Sequence, residues 1–272
     1  MCFSKAFSAV AAAICIVVGA SAQIVSSGIG EVDPWGQGYL DSNEKGLPSD
    51  SWKASNADDL IPLMRKVRTR SLTPAERALL RRAVLSPALK PNGSKADEVL
   101  AERARIMFEL GEAKAAADLM TRLKKAPPGL DPEEVAADLE LALGNEATAC
   151  RNIQYGVVKE GPYWARLRAA CAALQNNLAG AELAVELAAG QGVDDAWLFS
   201  AVFAGLGDAG KPPNARFDSG ISLALSAKAK LNAPVNAVAV SGRPDLAAAM
   251  AGRASLPPEL RVQGAMWQQK QV

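Results

Sequence analysis

Cysteines, histidines and paired carboxylates set the limits on what chemistry this chain can perform. It has 272 residues and four cysteines; Cys2 and Cys15 fall in an N-terminal stretch that reads as an export signal. The remaining two, Cys150 and Cys171, each lie on the apolar stripe of an expected helix, with Ile153 and Val157 in one case and Leu167 and Leu174 in the other. Those helices are consecutive, so their faces can meet, and an oxidising compartment favours a disulfide between them. Closing such a loop stabilises a fold by roughly 3 kcal/mol in the chain-entropy treatment. Two buried free thiols are the alternative. No Cys-x-x-Cys spacing points to redox or metal chemistry.

Histidine is absent from the sequence. That removes the usual general base, the Ser-His-Asp arrangement and most zinc sites. Catalysis by carboxylates alone stays open in principle. The acid pairs Glu133-Glu134 and Asp194-Asp195, however, stand at expected helix starts, where they complement the helix dipole. Residues 205–212 (Gly205, Leu206, Gly207, Asp208, Ala209, Gly210, Lys211, Pro212) spell a phosphate loop up to the last place. There Pro212 replaces the hydroxyl residue that would hold magnesium. Pro212-Pro213 also forbids the following helix that should cradle the phosphate. The stretch is read as loop. The expectation is a protein that is not an enzyme, with no catalytic residue, cofactor or metal.

Charge is the other candidate for function. Residues 60–90 hold eight basic side chains against Glu76 alone, whereas residues 131–146 hold six acids and no base. Two solvated helix faces of opposite sign would produce this pattern. The sharper reading makes Arg65, Lys66, Arg68, Arg70, Arg77, Arg81 and Arg82 a partner-binding basic segment. Trp164, Trp197 and Trp267 lie in helical patterns, and core packing is the default expectation for them; lining a groove for sugar or peptide stacking is the alternative, which spacing does not decide.

The elements that position these residues are helices. Asn56 caps a helix expected to run to about Arg70, and Thr73-Pro74-Ala75-Glu76 is a capping box opening a second. Leu100, Ala104, Met107, Phe108 and Gly111 share a stripe, as do Tyr163, Leu167, Ala170, Cys171 and Leu174. Asp131-Pro132 starts another helix. Ile221 to Leu231 and Pro244 to Gly252 read as helices near the end. Leucine-glycine punctuation recurs at Leu110-Gly111, Leu143-Gly144, Leu174-Gln175 and Leu206-Gly207, in steps of 33, 31 and 32 residues. A period of that length marks stacked two-helix units.

The ends of the chain carry their own signals. Lys5, the apolar run from Ala9 to Val18 and the small residues Ala20-Ser21-Ala22 read as a cleavable export signal over residues 1–22. Its apolar core is too short to span a bilayer. Cleavage leaves 250 residues with 29 basic and 29 acidic side chains. Net charge therefore directs the mature chain to neither nucleic acid nor a membrane surface. Residues 23–55, rich in Gly, Ser, Asp and Pro, are expected as a flexible tether carrying Trp35 and Trp52 as anchors onto the body or contacts for a partner. Residues 56–216 are expected as the helical-repeat domain and 217–272 as a C-terminal helical cap.

Gly111, Ala116 and Pro128, with Gly144, Ala149 and Pro162 as a looser second set, give residues 100–206 the look of a degenerate repeat. The chain resembles the tetratricopeptide-type helical-repeat proteins. In that pattern Gln175 replaces the turn glycine of the third unit, and the fourth fails after Gly207. The resemblance implies an all-α fold, a right-handed α-solenoid of stacked hairpins, that binds a peptide or protein on a concave face. The expected function is a periplasmic scaffold or adaptor that binds an envelope protein or peptide, without stable membrane insertion. The alternative is an α-superhelical peptidoglycan-binding accessory domain of a wall-processing system.

Overall fold

In the computed structural model, residues 33–154, 159–208, 210–234 and 243–269 are described. The expected signal peptide, residues 1–22, and residues 23–32 lie outside them. The described residues fall in one unit, Asp33–Val272. They form twelve α-helices and no strand: α1 Ala57–Lys66, α2 Pro74–Leu85, α3 Ala96–Leu110, α4 Ala113–Met120, α5 Pro132–Leu143 and α6 Glu146–Gln154 come first. Then follow α7 Pro162–Leu174, α8 Leu178–Gly190, α9 Ala196–Gly205, α10 Gly220–Lys228, α11 Pro244–Gly252 and α12 Pro258–Gln269.

Local chemistry explains most boundaries. The capping box at Thr73 and Glu76 starts α2, and Asp131 accepts the N–H groups of Glu133 and Glu134 at the start of α5. Asn56 caps α1, but that helix stops at Lys66 rather than near Arg70. Arg105 on α3 donates to the Met64 carbonyl at 2.8 Å, and Val67 turns extended. A short 3-10 turn, Thr69–Ser71, follows.

Six helices end alike. In α3, α5, α7, α8, α9 and α10 the carbonyls of Met107, Glu140, Ala172, Ala188, Phe203 and Ser226 accept an N–H from five residues on, at 2.8–3.0 Å. This is the Schellman arrangement, and it needs a left-handed residue just before the donor. Gly111, Gly144, Gly192 and Gly207 supply it, but so do Asn176 and Lys230. The end of α7 thus makes the same turn through Asn176, one place beyond Gln175. Asparagine tolerates that conformation; lysine adopts it at a cost of about 1–2 kcal/mol.

Helices α3 to α9 pack in sequence, each against the next, and α7 also touches α9. The C-terminal helices then fold back. α10 packs on α5, α7 and α9, and α11 packs on α3 and α5. Every residue of α10 from Gly220 to Ala227 is buried. The core is accordingly alanine-rich: Ala165, Ala169, Ala170, Ala173, Ala201 and Ala224 let these helices approach closely. The Cys150–Cys171 disulfide joins α6 to α7.

Residues 33–55, expected within the flexible tether, run against the body. Tyr39 donates its N–H to the Leu85 carbonyl, Ala88 to Trp35 and Leu89 to Ser49. Trp35 is 2% exposed, edge-on to Trp52 with ring centroids 6.1 Å apart. Both tryptophans pack on the body, the anchor reading of the two that their polar surroundings allow.

Candidate functional site

The seven residues of the basic segment divide into two groups. Arg65 pairs with Glu102 at 2.8 Å and Glu98 at 3.6 Å, and Arg81 bridges Glu44 and Glu112 at 2.6 Å each. Arg77 is buried and donates to the Thr69 carbonyl at 2.7 Å; burial lowers its pKa. These three hold the fold together. Lys66, Arg68, Arg70 and Arg82 are exposed. Among the described residues none of the four has a carboxylate in salt-bridge range, and Arg68 donates only to the Arg65 carbonyl at 3.3 Å.

Arg68 and Arg70 stand at a cleft of about 360 Å³. One wall is the stretch from Val67 to Arg70. Another is the end of α3, Phe108 and Glu109, and the third is the start of α11, Arg243 to Asp245. The guanidinium of Arg243 lies 5.1 Å from the Phe108 ring centroid, a cation–π contact. Both acids of the cleft are already engaged. Glu109 accepts from Arg105 and from Thr69 Oγ1, and Asp245 accepts from Arg243 at 2.6 and 3.0 Å. Burial alone would lower the Arg243 pKa, but Asp245 and Asp138 raise it. The cleft thus gathers three arginines, Arg68, Arg70 and Arg243, around the Phe108 ring, with both of its carboxylates paired inside the protein.

Arg243, Phe108 and Glu109 are not signalled by the sequence, because the cleft joins segments far apart in the chain. Elsewhere the expected site residues take structural places. Glu133 and Glu134 lie in the first turn of α5, and Asp195 caps α9 while holding Arg216 at 3.0 Å. Trp164 is buried with Lys159 4.4 Å above its ring centroid. Half-buried Trp197 donates to the Asn214 carbonyl, and Trp267 packs on the core. Among the described residues no cluster of metal-ligating side chains occurs, and no helix is long and apolar enough to cross a membrane. The chain matches no protein-family model, no curated protein and no solved structure.

Proposed function

We propose that this protein is a non-enzymatic scaffold or adaptor of the periplasm that binds an acidic protein or peptide partner in an envelope assembly. The observation that carries the reading is the exposed set Lys66, Arg68, Arg70 and Arg82, none in salt-bridge range of a carboxylate among the described residues, with Arg68 and Arg70 lining the cleft. The Cys150–Cys171 disulfide supports export to an oxidising compartment. The run of hairpins from α3 to α9 supports a tetratricopeptide-like solenoid. In such a fold the first helix of each pair lines the concave ligand groove. Here α3, α5, α7 and α9 receive α10 and α11 instead, so the cleft edge is the better docking surface.

A photoreactive residue at Arg70, introduced into cells exporting the protein, tests the proposal. The expected result is capture of one discrete acidic protein, lost in the Arg68→Glu/Arg82→Glu variant and weakened by salt. Capture of glycan fragments instead would move the wall-binding accessory domain ahead. Capture unaffected by the charge reversals would sink the basic edge as the working surface.

A further inference from the structure

A second cleft, of about 310 Å³, opens where the end of α10 meets the turn between α11 and α12. Its walls are mostly apolar: Phe217, Leu231, Leu256, Pro257 and Leu260. The two serines that line it are engaged within the protein. Ser226 Oγ donates to the Arg216 carbonyl and accepts the Arg216 N–H, both at 3.1 Å. Ser255 Oγ accepts from Arg253 Nε at 2.9 Å. Among the described residues one charged group lines the cleft, the exposed Lys230.

Lys230 also occupies a backbone position that favours another residue. It has φ +50° at the left-handed place of the α10 terminus, where four of the six equivalent helix ends carry glycine. An ammonium thus stands beside the apolar cleft at a backbone position that glycine would fill with less strain. In a mostly apolar cleft the few polar groups that line it set orientation and specificity. An apolar slot with one cation at its edge is complementary to an apolar chain ending in one negative charge.

We propose that this cleft binds a fatty carboxylate, with the acyl chain between Phe217, Leu256 and Leu260 and its head on Lys230. This site is separate from the basic edge and stands whether or not that edge binds a partner. A cleft of about 310 Å³ sets the choice of a medium-length acyl chain for the test.

Calorimetric titration of the purified, oxidised protein with decanoate tests this, using decan-1-ol and acetate as controls below any micelle-forming concentration. One decanoate per chain is expected, bound about fivefold more tightly than decanol, as a partly exposed ion pair would give. Acetate should not bind detectably. Lys230→Gly relieves the backbone and should raise Tm while removing the preference for decanoate over decanol. Leu260→Trp should fill the slot and abolish binding of both. No decanoate binding to the native protein, equal affinity for decanol, binding of acetate alone, or a Lys230→Gly variant that still prefers decanoate would each overturn the proposal.

Discussion

The Asp138 carboxylate in α5 accepts the backbone N–H of Gly220, 82 residues further along, at 2.8 Å. The N–H of Ile221 lies 3.4 Å from the same oxygen, and Arg243, which precedes α11, reaches the other oxygen at 3.3 Å. One buried carboxylate therefore anchors the starts of both helices that fold back over α3 to α9. Burial pushes this carboxyl up in pKa, and Arg243 and the α10 N–H groups oppose that shift. The acid run of residues 131–146 thus holds one member with an internal task.

The close approach can be tested at Gly220. A Cβ there would come within 1.8 Å of the Asp138 carbonyl oxygen, a backbone atom that cannot swing aside. Gly220→Ala should destabilise the protein by about 3 kcal/mol, at the upper end of ordinary overpacking. Urea denaturation followed by circular dichroism measures it. A loss below about 1 kcal/mol would mean that α10 is free to move off α5.

Glu102 sets an acid limit on stability. Burial alone would raise its carboxyl, but hydrogen bonds and charges from Arg65 and Arg105 outweigh it and hold the pKa below the usual 4.5. A lowered folded-state pKa means the unfolded chain binds the proton more readily. The stabilisation is therefore present above pH 4.5 and disappears as pH falls through the folded-state value. Glu102→Gln should cost about 1 kcal/mol at pH 7 and flatten the acid limb of the stability profile. Denaturation midpoints between pH 3 and 7 provide the comparison, and parallel curves for the two proteins would refute the assignment.

The disulfide joins residues separated by 21 positions. Reduction, or the Cys150→Ala/Cys171→Ala variant, should lower stability by about 3 kcal/mol with the helical content kept. Far-ultraviolet dichroism and urea midpoints with and without reductant separate the two effects. Collapse of the whole helical signal on reduction would show that the bond supports more than the α6–α7 junction.

Much of the helix framework was legible in short-range chemistry: the Thr73–Glu76 box, Asp131-Pro132, and the glycines at 111 and 144. Each acts within a few residues of itself. What escaped depends on distant partners. The Met64 carbonyl at the end of α1 accepts from Arg105, 41 residues on, as well as from Val67. Arg65 and Arg81 look free in a basic run because Glu102, Glu44 and Glu112 come from elsewhere in the chain. Asn176 was missed because only the backbone conformation reveals that it does the work of glycine. The cleft could not be foreseen for the same reason, as Arg68 and Arg243 meet only through packing.

Arg103 offers the most direct test of how the N-terminal strip is held. It is 1% exposed and donates to the carbonyls of Val84 at 2.6 Å, Ser86 at 2.8 Å and Gln37 at 3.2 Å. The first two lie at the end of α2, where carbonyls lack helical partners; the third belongs to the strip. Burial pulls this guanidinium down to a pKa of about 10. Methionine at this position keeps the length and apolar stem but leaves three carbonyls without their donor. Arg103→Met should therefore cost about 3 kcal/mol overall. It should also loosen residues 37–48 first, because the Gln37 carbonyl and the Tyr39 ring both rest on Arg103 itself. Limited proteolysis with mass mapping should show new cleavage in that stretch before any in α3 to α9. Cleavage appearing in all segments at once would mean that the strip and the helices unfold together, and that Arg103 supports a single cooperative core.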